Sequence, residues 1–118
     1  MHHVLVVDDD PLIREAIAEM LDLEGYAVET AANGRDALAA VERREPRAVL
    51  LDMRMPILDG WGFAQALRQR GQQLPIIVMT AAHDAARWAR DLGAQHVVAK
   101  PFEITDLLSA VHDCSQAS

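Results

Sequence analysis

Short apolar runs and helix-period segments alternate five times along this chain, with only a few residues between them. No other feature restricts the fold as much. Strands that alternate strictly with helices build a parallel sheet, and the helices cover both of its faces. The runs Val4 to Val7 and Ala48 to Asp52 read as buried strands, Ile76 to Met79 as a further strand and Val97 to Ala99 as a short one. Tyr26 to Ala31 alternates weakly and reads as an edge strand. Between them lie helical patterns. Asp10-Pro11 caps and starts the first, and Ile13, Ala16, Ile17, Met20 and Leu21 form its apolar face up to a stop at Gly25. Asn33-Gly34 reads as a turn before a second helix marked by Ala37, Leu38 and Val41, which Pro46 ends. Asp59-Gly60 opens the third, with Phe63, Ala64 and Leu67 inward and Gly71 after it. The fourth runs from about Asp84 to Leu92 on Ala85, Ala89 and Leu92, with Trp88 alongside as a core-packing residue and Gly93 as the stop. Ile104, Leu107, Leu108 and Val111 mark the fifth. The expected class is α/β, a (βα)5 doubly wound sheet of five parallel strands.

Length sets the domain count. At 118 residues the chain makes one domain, expected over 1–114, with 115–118 as a polar tail or the start of a linker. Hydrophobic residues at 51% and charged residues at 25% supply an ordinary soluble core and surface. A net charge of −7 argues against a direct nucleic-acid surface. The single cysteine, Cys114, excludes an internal disulfide and fits a reducing compartment. No apolar run approaches the roughly 20 residues that cross a bilayer, and Met1-His2-His3 leads straight into the first strand without a signal peptide. Cytoplasmic placement without membrane contact is therefore expected, and His2 and His3 read as surface residues.

Chemistry enters at the strand ends. In an open parallel sheet the carboxyl ends of the strands share one edge, and ligands bind in the crevice beyond it. Asp8, Asp9 and Asp10 follow the first strand, Asp52 the third, Thr80 the fourth and Lys100 the fifth. Asp10 is accounted for as a helix cap. Asp8 and Asp9, taken singly, also suit a solvated loop, Thr80 a plain strand end, and Lys100 a surface charge. Asp52 is harder to dismiss, because nothing in a fold asks for a carboxylate after Val49-Leu50-Leu51. Several carboxylates in one crevice repel unless a cation joins them, and oxygen donors without Cys or His select a hard ion such as Mg²⁺. A lysine and a hydroxyl beside them suit a tetrahedral phosphoryl group. An Asp carboxylate is a competent nucleophile toward phosphorus, and phosphoryl transfer asks mainly for positioning and charge neutralisation.

Four motifs then carry a family resemblance over nearly the whole chain. They are Val4-Leu5-Val6-Val7-Asp8-Asp9-Asp10, Leu51-Asp52-Met53-Arg54-Met55-Pro56-Ile57-Leu58-Asp59-Gly60, Val78-Met79-Thr80-Ala81 and Lys100-Pro101-Phe102. In this order and spacing the chain resembles the receiver domain of bacterial two-component response regulators. The resemblance implies a flavodoxin-like sheet with strand order 2-1-3-4-5. It implies Asp52 as the phosphoacceptor, charged by a histidine kinase or phosphotransfer protein. It further implies Asp9, Asp52 and the backbone carbonyl of Arg54 as Mg²⁺ ligands, with Mn²⁺ as a substitute and Asp8 acting through water. Thr80 would hydrogen-bond the phosphoryl group, Lys100 would ion-pair with it, and the Lys100-Pro101 bond would be cis. Output would pass to a further domain or downstream protein through the fourth-helix, fifth-strand and fifth-helix face, with a phosphorylation-linked homodimer as one form of it. The chain would be a regulator rather than an enzyme, limited to self-phosphorylation and self-dephosphorylation.

Three positions depart from the pattern or qualify it. The switch position, three residues before the lysine, usually holds Tyr or Phe and here holds Val97. By the resemblance, the shift of Thr80 toward the phosphoryl group is expected to be kept while its readout on the fourth-helix and fifth-strand surface is altered or muted, with Trp88, His83 or His96 as substitute reporters. Arg54 and Ala82 flank the path of the hydrolytic water. Ala82 offers nothing to orient that water, and Arg54 either lies over the phosphoryl group or points to solvent, so slow to moderate self-dephosphorylation is expected. Two other readings stand beside the main one. A receiver-like interaction module that takes no phosphate is set against the intact Asp8, Asp9, Asp52, Thr80 and Lys100. An Asp-nucleophile phosphatase of the haloacid-dehalogenase type needs an acid two residues after the nucleophile, where Arg54 stands.

Overall fold

The computed structural model describes residues 3–55, 57–92, 94, 96–100 and 102–116, and only the backbone of 82, 89, 115 and 116. The expected stop at Gly93, the Lys100-Pro101 bond and the end of the tail lie outside the described residues. The elements run β1 (His3–Val7), α1 (Pro11–Leu23), β2 (Ala27–Ala31), α2 (Gly34–Arg43), β3 (Ala48–Asp52), α3 (Gly60–Gln69), β4 (Ile76–Ala81), a 3₁₀ turn (Ala82–Asp84), α4 (Ala85–Leu92), β5 (His96–Lys100) and α5 (Ile104–Gln116). The five strands form one sheet in the order β2-β1-β3-β4-β5, and every pairing is parallel.

Side chains of a strand alternate between faces, so each strand feeds two cores. Leu5, Val7, Val49, Leu51 and Val78 pack with Ala37, Val41, Phe63, Leu67 and Leu92 from α2, α3 and α4. Val4, Val6, Leu50, Ile77 and Met79 pack with Ile17 and Leu21 of α1 and Leu107 and Val111 of α5. Burying one such Leu, Ile or Val stabilises the fold by about 1.5–3 kcal/mol. The two cores lock the sheet from both sides, leaving its carboxyl edge as the place where polar side chains can gather. Among the described residues no helix is long and apolar enough to cross a membrane.

The structure adjusts the sequence reading at several points. Asn33-Gly34 is a helix start rather than a free turn: the Asn33 side chain accepts from the Asp36 N–H at 2.8 Å, and Gly34 is the first residue of α2. β4 continues through Thr80 to Ala81, and β5 spans His96 to Lys100, because each keeps pairing with the other, Thr80 with Ala99 and Ala81 with Lys100. Asp84 belongs to the 3₁₀ turn, and α4 begins at Ala85. Ala16 is exposed, while Ile17 and Leu21 carry the buried stripe of α1. His3 is 6% exposed, so it is not the surface residue expected. Pairing with Ala27 of β2 and an N–H from Arg47 to its carbonyl at 2.7 Å draw it into β1. Trp88 packs against the α2–α4 core, and its ring centroid is 6.1 Å from that of Trp61.

Candidate functional site

The two-residue strand period brings the site together. Asp8 continues the stripe of Val6, Asp52 that of Leu50, and Lys100 that of Val98, so all three stand on the α1/α5 side of the sheet's carboxyl edge. Register does the rest, because Val7 pairs with Leu51 and so brings the residues after both to one place. One oxygen from each of Asp8, Asp9 and Asp52 lies within 4.8 Å of the others. The Lys100 ammonium is 3.3 Å from Asp8 Oδ2 and 3.5 Å from Asp52 Oδ1. Thr80 is buried at the same edge, one residue past the Met79 that pairs with Asp52, and continues the stripe of Val78.

Each aspartate has a different environment. Asp8 is fully buried. Its Oδ1 accepts the Asp10 N–H at 2.9 Å, and the Arg14 guanidinium donates to its backbone carbonyl at 2.9 Å. Asp9 is exposed, facing the solvent side of the crevice. Asp10 is the cap of α1 and accepts from the Leu12 N–H at 3.0 Å. Asp52 is 7% exposed, and its Oδ1 receives the Arg54 N–H at 3.4 Å. Burial first, and the neighbouring Asp8 charge second, push its carboxyl from 3.8 up to about 6, against the pull of Lys100 and the Arg54 N–H. One ammonium does not balance three carboxylates. The donor set is oxygen only, without sulfur or imidazole, and so fits a hard divalent cation.

The loop after Asp52 is held by two close glycine approaches. The Gly34 N–H donates to the Leu58 carbonyl at 2.8 Å, and a Cβ on Gly34 would stand 2.5 Å from that oxygen. A Cβ on Gly60 would stand 2.8 Å from the Asp52 carbonyl. Asp59 caps α3 by accepting the Gly62 N–H at 2.8 Å. Ile57, 75% exposed, sits in this loop at φ 70°, a left-handed conformation that a β-branched side chain rarely adopts.

Of the two places expected for Arg54, over the phosphoryl group or toward solvent, its side chain takes the solvent side, 82% exposed, and there it finds a partner. Its Nη2 is 3.2 Å from Asp84 Oδ2, across the gap between the β3–α3 and β4–α4 connections. Asp84 entered the sequence reading only as a helix start. No local signal pairs residues thirty apart; only the β3–β4 adjacency does. Val97 is half-buried against the α2–α4 core.

Comparison with known proteins settles the family. The response regulator receiver domain profile matches residues 4–112. The chain belongs to the response regulator receiver domain family. Among curated relatives of this receiver domain, the response regulator MprA of Mycolicibacterium vanbaalenii is 42% identical over 108 residues, covering 90% of this chain and 47% of that protein. The chain thus spans about half the length of the curated relatives it matches. Among solved structures, the chemotaxis response regulator CheY4 of Vibrio cholerae is 33% identical with a TM-score of 0.86, covering 97% of this receiver domain and 98% of that chain. The response regulator TrrA of Thermotoga maritima, solved in complex with Mg²⁺-BeF, is 34% identical with a TM-score of 0.86, covering 97% and 99% of the two chains. Receiver domains are signalling modules of two-component systems.

Proposed function

We propose that this receiver domain is a phosphorylation-dependent switch whose phosphoacceptor is Asp52. The observation that carries the reading is a nearly buried carboxylate, 7% exposed, with an ammonium 3.5 Å away and two further carboxylates beside it. The donor is the phosphohistidine of a histidine kinase or phosphotransfer protein. An Asp52 oxygen attacks phosphorus, the phosphorus–nitrogen bond breaks, and the imidazole leaves with the electron pair. Lys100 exchanges part of its pairing with Asp8 and Asp52 for the incoming phosphoryl oxygens. Thr80 offers its hydroxyl to one of them. Asp9, Asp52 and the Arg54 carbonyl would hold Mg²⁺, and Asp8 would support it from the same cluster. A divalent cation held there would supply charge neutralisation for the carboxylates and the phosphoryl group and would favour ionised Asp52. The BeF bound to TrrA is a tetrahedral stand-in for a phosphoryl group, and its presence with Mg²⁺ on a 34% identical chain supports this assignment. Output passes through the α4–β5–α5 face to an attached or separate partner, or to a second copy.

The test uses acetyl phosphate with Mg²⁺ and intact-mass spectrometry. The wild-type chain is expected to gain one phosphoryl group, Asp52→Asn none, and a chelator is expected to abolish the gain. Absence of a phosphorylated species, with beryllofluoride and Mg²⁺ also silent by NMR, would overturn the reading in favour of an interaction module that takes no phosphate.

A further inference from the structure

Arg54 joins two parts of the receiver domain that the proposed chemistry leaves separate. Its amide donates to Asp52 Oδ1 at 3.4 Å, so the residue begins at the phosphoacceptor. Its guanidinium ends 3.2 Å from Asp84 Oδ2, on the turn that leads from β4 into α4. The partners are unequal: the Arg54 side chain is 82% exposed and that of Asp84 only 14%. Asp84 is therefore the enclosed member and Arg54 the one reaching in from solvent. The His83 imidazole lies 3.4 Å from the same Asp84 oxygen, so Asp84 has a second neighbour when Arg54 leaves.

We propose that Asp84 is a positioning residue that draws the Arg54 guanidinium away from Asp52, and so sets how long the aspartyl phosphate survives. The proposal rests on Asp52 being phosphorylated. A phosphoryl group there adds about two negative charges beside the root of the Arg54 side chain. A guanidinium presents a planar fork of donors that matches phosphate oxygens as well as it matches a carboxylate. Two acceptors then compete for one arginine. An ion pair with one exposed member is weak, so the competition is close and the loss of a single charge tips it. In hydrolysis the water oxygen bonds to phosphorus, and the bond from phosphorus to the Asp52 oxygen breaks, its pair returning to the carboxylate. The water's proton passes to solvent, and inorganic phosphate leaves. A guanidinium laid over the phosphoryl face blocks that water, and one held on Asp84 leaves its path open.

The experiment measures the decay of the phosphorylated chain after acetyl phosphate is removed, in the presence of Mg²⁺. Asp84→Asn keeps the size and a side-chain acceptor while removing the charge. It is expected to lengthen the half-life about two- to fivefold, the range that one partly exposed ion pair spans. Asp84→Glu is expected to restore the wild-type half-life. In an Arg54→Ala chain, Asp84→Asn is expected to change nothing, because its effect runs through the guanidinium. A purely structural role for Asp84 would move the half-life equally in both backgrounds, and that result overturns the proposal. So does an unchanged half-life in Asp84→Asn. A wild-type chain that takes no phosphoryl group overturns the functional reading along with it, whereas a wild-type chain that is phosphorylated with no Arg54-dependent effect overturns this proposal alone.

Discussion

His3 stands at the opposite end of β1 from the aspartates, and it gives the molecule a pH dependence unrelated to signalling. Burial, and then the nearby Arg44 charge, lower its pKa from 6.5, with Glu29 opposing at 3.5 Å. The fold therefore favours neutral His3, while the unfolded chain protonates near the ordinary value. Below that value the unfolded state binds the extra proton, so this contribution is complete above about pH 6.5 and is lost as the pH falls toward the lowered folded value. Asp52 acts with the opposite sign over an overlapping range, since its folded pKa is raised, so the comparison must cancel it. The melting temperature of wild type is expected to fall more than that of His3→Gln between about pH 7 and pH 5. Parallel profiles would remove His3 as the cause. At this scale the sequence showed the charged residues of the site but not their partners. Asp8, Asp52 and Lys100 were legible because a charge after an apolar run has no role in the core. The Arg54–Asp84 pair was not, because it depends on which strands are neighbours.

Elements divide the same way. Periodicity placed all five helices and all five strands, since a helix buries a stripe and a strand buries alternate residues. Their ends were less legible. β4 and β5 extend each other by pairing, and a single strand read alone cannot show that. Gly34 is the clearest case. In sequence, Asn-Gly before a helix reads as a turn; in the fold it is the cap of α2 pressed against the loop that follows Asp52. Glycine in a helix is ordinarily worth about 0.5–1 kcal/mol less than alanine. Here the order reverses, because a Cβ would meet the Leu58 carbonyl at 2.5 Å. Gly34→Ala is expected to lower stability by about 1–3 kcal/mol, the usual penalty of overpacking. It should also slow phosphorylation by acetyl phosphate, because the loop that moves carries Arg54 and its carbonyl. Urea denaturation and the phosphorylation rate check the two effects separately. A neutral or stabilising result would mean that the loop gives way without strain.

At the scale of the whole molecule, the question is how an event at the sheet edge reaches a partner surface. Val97 carries no aromatic ring, and it is already half-buried against the α2–α4 core. The expected effect of beryllofluoride with Mg²⁺ is therefore uneven. Amide NMR shifts should be large at Asp52, Thr80 and the turn at 82–84, and small around Val97. Equally large shifts along residues 83–100 would show that valine transmits the change as an aromatic does. Trp61 and Trp88, with ring centroids 6.1 Å apart, offer a fluorescence signal for any movement of α4 against α3.

The sequence alone determined the class of fold, the order of its elements and which charged residues stand at the strand ends. These follow from periodicity and from charges placed where a core has no use for them, both of which are local properties. Only the tertiary structure decided which of those charges meet. It buried Asp8 and left Asp9 in solvent, set Lys100 between Asp8 and Asp52, turned Arg54 toward Asp84, and enclosed a terminal histidine in β1. The physical reason is that electrostatic partners are chosen by distance through space, and distance through space is set by strand order and register.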